Sequence, residues 1–239
     1  MRNVFRKLIN ILAPDNIKCI ACDAELNQDN KYGLCPKCLA KMPTINKSCH
    51  KCGREIYDQG KYCFDCKEGG FYFDRVYSCL NYEDFVHGIV YKLKYGKAKY
   101  LAPFIARVIA DKIIEEDIKF DFIVPVPLNK NRENQRGFNQ AKLIAQEVAK
   151  ILNCSVVDAI SRERDTPFQA SLTREQRIEN VKDAFVVVDK NMVKGKNILL
   201  LDDIFTTGST INECSKILKN NKAKSVVGIT YASAKKKFV

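Results

Sequence analysis

Three features of this 239-residue chain predict a parallel α/β fold behind a small cysteine-rich domain. Eight of its 11 cysteines fall between Cys19 and Cys66, and only Cys79, Cys154 and Cys214 come later. Beyond residue 70, short apolar runs alternate with segments whose apolar residues recur every three or four positions. That is the pattern of buried parallel strands covered by helices. The composition, 46% hydrophobic and 28% charged, is that of an ordinary globular protein and excludes wholesale disorder or a fibre. No apolar run approaches the roughly 20 residues that cross a bilayer.

The elements follow in chain order. Val4–Leu12 is interrupted by Arg6 and Lys7 and lacks a small-residue cleavage site. It reads as a short amphipathic helix rather than an export signal, so the expected location is cytoplasmic. Thiols stay reduced there, and a cysteine cluster then points to metal rather than to disulfides. The cysteines form four pairs, Cys19/Cys22, Cys35/Cys38, Cys49/Cys52 and Cys63/Cys66, separated by 12, 10 and 10 residues. One such pair places two thiolates on an ion and a second completes a tetrahedron, so two structural Zn²⁺ ions are expected. Gly53 suits a tight knuckle directly after a pair. Sequential ribbons, the first two pairs and then the last two, are the favoured pairing, although a crossed arrangement fits the same spacings. Zinc would stabilise a segment with few large apolar residues. Glu68-Gly69-Gly70 closes this domain, giving residues 1–70 and 71–239.

In the second part Phe71–Tyr82 is aromatic and β-rich, with edge or hairpin character. Val86–Leu93 and Leu101–Ile114 read as helices. Asp121–Pro127 is a buried strand running into a proline-ended turn. Asn139 can cap a helix reaching Leu152. Ser155–Ala159, Ala184–Val188, Asn197–Leu201 and Ser225–Tyr231 are strand candidates, with a helix from about Thr210 to Asn220 between the last two. Cys79, Cys154 and Cys214 read as small core residues, and His87 as a surface or core histidine.

Forty basic against 28 acidic side chains give a formal charge of +12. Thiolates on zinc would bring residues 1–70 close to neutrality, leaving the basic surface to the second part. It concentrates at Lys92, Lys94, Lys97, Lys99 and Arg107, at Lys130, Arg132, Arg136 and Lys142, and at Lys235–Lys237. Such clusters suit a polyphosphate ligand or a nucleic-acid backbone, or form a solvated face.

The most informative stretch is Asn197–Thr210, NILLLDDIFTTGST. An apolar strand ending at Leu201 sets Asp202 and Asp203 at its carboxyl end, where open α/β sheets hold ligands. Thr206-Thr207-Gly208-Ser209-Thr210 follows and opens a helix, and its hydroxyls and amides can wrap a phosphate. Adjacent carboxylates repel phosphate, so they suit sugar hydroxyls and a divalent cation.

This stretch resembles the phosphoribosyl-diphosphate (PRPP) binding motif of type I phosphoribosyltransferases. With the four CxxC pairs, Leu93–Ala102 (LKYGKAKYLA) and Pro125–Ala141 (PVPLNKNRENQRGFNQA), the chain resembles the ComF/ComFC family of competence-related proteins. The segment from Arg162 to Phe185 also matches, with Arg164, Thr166, Gln169, Leu172, Arg177 and Asn180 at the expected places; in related transferases it is the mobile loop over the active site. The resemblance implies a type I phosphoribosyltransferase fold behind an N-terminal zinc ribbon. It implies that Asp202 and Asp203 contact ribose hydroxyls and Mg²⁺, that Thr206, Thr207, Gly208, Ser209 and Thr210 bind the 5′-phosphate, and that Arg177 belongs to the catalytic set. Arg132 and Arg136, on the turn after Pro127, would face pyrophosphate, for which guanidinium forks are suited. Asn129 stands where relatives often carry histidine. A variable hood for the acceptor would come from residues 71–100.

Three functions fit these residues. One is a competence protein that handles single-stranded DNA through Lys92, Lys94 and Lys97, interleaved with Tyr91, Tyr95 and Tyr100, and responds to PRPP. The second is an active phosphoribosyltransferase with an unidentified acceptor, favoured by the intact acidic pair and phosphate loop. The third is a zinc-stabilised scaffold for a helicase or other DNA-uptake protein.

Overall fold

The computed structural model describes residues 18–26, 30, 32–164, 176, 179 and 181–235. The helix expected at Val4–Leu12 lies outside them, as do Thr166, Gln169, Leu172, Arg177 and Asn180. Compactness divides the chain into residues 1–42 and 43–239, whereas composition places a boundary near residue 70.

In the first unit a single antiparallel bridge, Lys18 to Glu25, carries the knuckle of Cys19 and Cys22. Cys35 caps a one-turn helix, α1 (Pro36–Leu39), that proline at its first position favours. The second unit begins with the same design. A bridge from Ser48 to Glu55 carries Cys49 and Cys52, and Cys63 caps α2 (Phe64–Lys67).

The rest of the second unit is built on a four-stranded parallel sheet. Its strands, in spatial order, are β1 (Arg75–Asn81), β6 (Ser225–Ser233), β5 (Asn197–Phe205) and β2 (Phe122–Pro125). Leu199, Leu200 and Leu201 in β5 are fully buried whichever face they point to, as a sheet covered on both sides requires. Flanking it are α3 (Asp84–Tyr95), α4 (Ala102–Glu115), α5 (Lys130–Arg136), α6 (Gln140–Leu152), the short α7 (Lys190–Val193) and α8 (Ser209–Asn220). Helices α4 and α6 pack on each other, while α8 packs on β5 and β6. The expected cap on α6 is present: the Asn139 side chain accepts from the Lys142 amide at 3.3 Å.

Four sequence expectations need correction. Strand β5 does not end at Leu201. Asp202, Ile204 and Phe205 go on pairing with Thr230, Ala232 and Ser233, so the acidic pair lies within the strand. The stretch bearing Arg132 and Arg136 is the helix α5 rather than a turn; Asn129 caps it, accepting from the Asn131 amide at 2.9 Å, and Gly137 ends it in the left-handed region at φ +79°. Ala184–Val188 supplies β4 (Phe185–Val187), which pairs antiparallel with β3 (Ile160–Arg162) outside the main sheet. Ser155–Ala159 forms only one parallel bridge, Val156 to Ile123 beside β2. A short apolar run signals burial without naming its partner strand.

Strand β1 is the sheet edge, and the second cysteine ribbon covers it. The Val76 amide donates to the Lys51 carbonyl at 2.8 Å, the Asn81 amide to the Pro43 carbonyl at 2.7 Å, and Thr44 bridges Leu80. An open edge strand invites unwanted pairing, and this cover removes that liability. Gly53 permits the approach. Its φ is +70°, and a Cβ there would stand 2.5 Å from the Val76 carbonyl oxygen and 2.8 Å from the Ser78 nitrogen. Gly53→Ala is therefore expected to destabilise the chain by roughly 2–3 kcal/mol through backbone strain, read as a lower urea midpoint.

Candidate functional site

The eight paired cysteines gather as two groups, Cys19/Cys22/Cys35/Cys38 and Cys49/Cys52/Cys63/Cys66, with all four sulfurs of each within 4.8 Å of one another. The sequential pairing is the one present. A tetrahedral zinc with Zn–S near 2.3 Å has sulfur–sulfur edges of about 3.8 Å. The Cys22–Cys35 and Cys52–Cys63 sulfur separations, each 3.7 Å, fit that ion. Backbone amides also point at sulfur, Cys35 N–H at Cys19 Sγ (3.4 Å) and Cys63 N–H at Cys49 Sγ (3.3 Å), which favours thiolate.

The second centre is a cavity of about 500 Å³ at the carboxyl end of the sheet. Asp202, Asp203 and Thr206 reach it from β5 and the loop that follows, Thr210 from α8, and Arg132 and Arg136 from α5. Side chains far apart in sequence are thus brought together. Thr207, Gly208 and Ser209 do not line the cavity, although they shape its loop. Gly208 adopts φ +83° ahead of α8, and a Cβ there would meet the Phe205 ring at 2.5 Å. The Thr207 hydroxyl is 2.8 Å from the Ser209 hydroxyl and accepts from the Ser209 amide at 3.3 Å.

The electrostatics of the acidic pair are specific. Asp203 is 9% exposed, and its Oδ2 is paired with Lys94 Nζ at 2.7 Å. Its amide donates to Asp202 Oδ1 at 2.8 Å. Burial, reinforced by the Asp203 charge, pushes the Asp202 carboxyl up to about 7, against the opposing pull of Lys94, that amide and Arg162. Without a ligand, Asp202 is therefore only partly ionised near neutrality, while Asp203 has the lysine beside it. The oxygens suit a sugar diol or a hard divalent cation, and an ion binding Asp203 Oδ2 takes the place of Lys94.

Of the proposed nucleic-acid lysines, Lys94 points into this cavity while Lys92 and Lys97 are exposed. Residues 71–100 do not form one hood, since β1 belongs to the main sheet and only the stretch from Tyr82 to Tyr95 lines the cavity. Sequence reasoning missed Arg162, a buried cavity residue whose guanidinium lies 5.3 Å from the Phe185 ring centroid. It set Tyr91 and Tyr95 among the lysines but missed that Tyr82 and His87 join them in one aromatic row. Tyr82 and His87 are 5.7 Å apart, His87 and Tyr91 6.1 Å, Tyr91 and Tyr95 5.1 Å, and the Arg136 guanidinium stands 5.2 Å from Tyr95. The four-residue spacing of 87, 91 and 95 on one helix was the available signal; Arg162 offered none within its polar segment. Arg177 lies outside the described residues.

Known proteins resemble this chain over most of its length. A phosphoribosyl transferase domain model matches residues 101–237, and a double zinc ribbon model matches residues 8–67. Competence protein F of Haemophilus influenzae is 29% identical over 211 residues, covering 85% of this chain and 91% of that protein. Competence protein ComFC of Bacillus subtilis is 26% identical, covering 89% and 93%. A solved purine phosphoribosyltransferase from Pyrococcus horikoshii aligns with 58% of this chain and 85% of that one, at 14% identity and a TM-score of 0.36.

Two outcomes are expected. Elemental analysis should find about two zinc ions per chain. The raised Asp202 value makes its proton stabilising in full below the ordinary value of 3.8, and that contribution is lost as pH rises to about 7. Melting temperature in the absence of PRPP and Mg²⁺ should therefore fall more steeply from pH 5 to 7 in the wild type than in Asp202→Asn.

Proposed function

The chain belongs to the phosphoribosyl transferase domain family, in the ComF-type arrangement with a double zinc ribbon ahead of it, and from that premise we propose that its cavity binds PRPP with Mg²⁺ in a protein of natural transformation. The observation that carries this reading is the convergence of Asp202, Asp203, Thr206, Thr210, Arg132 and Arg136 on one cavity. In the proposed complex Asp202 and Asp203 hold the ribose hydroxyls and Mg²⁺, the loop of Thr206 to Thr210 holds the 5′-phosphate, and Arg132 and Arg136 face pyrophosphate. Mg²⁺ supplies charge neutralisation for the diphosphate. We keep residues 1–70 as the zinc module and 71–239 as the ligand-binding module. A reducing cytoplasm, where thiolates remain available to zinc, is the compartment that suits them; among the described residues no helix is long and apolar enough to cross a membrane.

Single-stranded DNA is the proposed macromolecular partner, with an uptake helicase or processing protein beside it. Supporting the DNA reading, Tyr91, Tyr95 and Tyr100 are exposed by 56%, 49% and 66% and stand among Lys92, Lys97 and Lys99. Such surfaces stack bases while tracking phosphates. A second reading, transfer of ribose 5-phosphate from PRPP to an unidentified acceptor, is favoured by the acidic pair and the arginines sharing that one cavity. Loss of pyrophosphate needs charge neutralisation and exclusion of water more than a covalent nucleophile. Arg177 remains in the proposed catalytic set.

At PRPP near 100 times its dissociation constant, with Mg²⁺, the stabilisation is about 2.7 kcal/mol, or roughly 5–10 °C in melting temperature. The variant carrying both Asp202→Asn and Asp203→Asn should show no shift; an equal shift in wild type and variant would refute the site. Pyrophosphate release with candidate acceptors separates the enzyme from the sensor. For DNA, affinity should drop by orders of magnitude between 50 and 200 mM salt, with a slope reduced in Lys92→Glu plus Lys97→Glu; salt-insensitive binding would count against a phosphate-tracking surface.

A further inference from the structure

The second cysteine ribbon reaches the phosphate loop through one side chain. Arg54 comes immediately after Gly53 and two residues after Cys52, and its side chain is 7% exposed. On the ribbon side, Nη1 donates to Asp65 Oδ2 at 3.2 Å, and Asp65 lies between Cys63 and Cys66 with its side chain 9% exposed. On the other side, Nη2 donates to the backbone carbonyl of Thr206 at 2.5 Å. The guanidinium carbon stands 5.7 Å from the centroid of Phe205, the ring that fills the space beneath Gly208. Arg54 thus touches both the first peptide of the loop and the ring on which its glycine rests.

A buried guanidinium is expensive unless its N–H groups are partnered. Here Nε is buried with no hydrogen-bond partner, so the side chain is placed for its two-sided contact rather than for its own fullest bonding. The consequence follows from peptide planarity. In a trans peptide the C=O and the following N–H point in opposite directions, so fixing the Thr206 oxygen on Arg54 turns the Thr207 N–H the other way. It also keeps a carbonyl dipole from facing an incoming phosphate. Arg54 is held by residues that exist as a site only when Cys49, Cys52, Cys63 and Cys66 are drawn together, which is the work of the metal that fits them.

We infer that Arg54 is a positioning residue that makes the phosphate loop competent for PRPP only while the Cys49–Cys66 ribbon holds its metal. The inference rests on the function proposed above and adds a regulation to it: loss of metal disarms the loop from behind, through Arg54, which does not itself line the cavity.

The full-length chain tests this. Arg54→Ala is expected to bind PRPP with Mg²⁺ at least tenfold more weakly than wild type by calorimetry, while keeping two zinc ions. Arg54→Lys, which keeps the charge but cannot span Asp65 and the Thr206 carbonyl together, should leave the loss in place. Amide exchange across residues 204–210, measured without ligand, should accelerate in Arg54→Ala and in Cys66→Ser, which opens the ribbon. Unchanged affinity and unchanged exchange in Arg54→Ala, or full rescue by lysine, overturns the inference. If Arg54→Ala does not fold, Asp65→Asn releases the same guanidinium from the ribbon, and wild-type-like affinity and exchange there overturn it equally. Failure of the wild type to bind PRPP counts against the proposed function alone, because the exchange measurement still decides whether Arg54 holds the loop.

Discussion

Two neighbouring carboxylates within the second half of a strand buried on both faces are the constraint around which the larger unit is arranged. Like charges so close cannot both stay ionised in a poorly hydrated site, and burial alone disfavours either charge. The structure answers in two ways: Asp203 takes a lysine partner, and Asp202 gives up much of its ionisation near neutrality. Arg162, Arg132 and Arg136 then surround the same space with positive charge. A fold selected only for stability would have placed leucine here. Natural sequences accept such local conflict at sites that do something else.

The sheet that presents this pair also depends on the metal-binding segment. With β1 at the edge, the knuckle of Cys49 and Cys52 supplies backbone partners for Val76 and, through Pro43 and Thr44, for the far end of the strand. Glu55 adds a buried anchor, accepting from Asn81 Nδ2 at 2.9 Å and from the Tyr57 hydroxyl at 2.7 Å. The ribbon therefore completes the sheet as well as gathering four cysteines that could hold a metal ion, which explains why compactness divides the chain after residue 42.

Much of this was legible because the relevant signals are local. Four CxxC pairs at regular spacing specify tetrahedral donor sets, and Asn197–Thr210 carries strand, acidic pair and loop within fourteen consecutive residues. What stayed hidden depends on tertiary pairing. The apolar run Ala184–Val188 signals burial without saying that β3, not the main sheet, is its partner. The continuation of β5 through polar Asp202 and Asp203 is imposed by β6, whose Thr230 and Ala232 keep the ladder going. Lys94 looks like its neighbours Lys92 and Lys97 in a list of charges, and only the helix register turns it inward. Arg54 and Thr206 are 152 residues apart, beyond any sequence pattern.

Helix α3 joins the two halves of the functional reading. Lys94 and Lys92 are two residues apart, so they leave the helix in different directions. One reaches Asp203 and the other remains exposed beside Tyr91 and Tyr95. A cation taking Asp203 Oδ2 competes with Lys94 for that oxygen, whereas a sugar hydroxyl can donate to it with the lysine in place, because a carboxylate oxygen accepts more than one hydrogen bond. The helix register thus divides the lysines of α3: Lys94 belongs to the charge balance of the acidic pair, and Lys92 to the exposed surface.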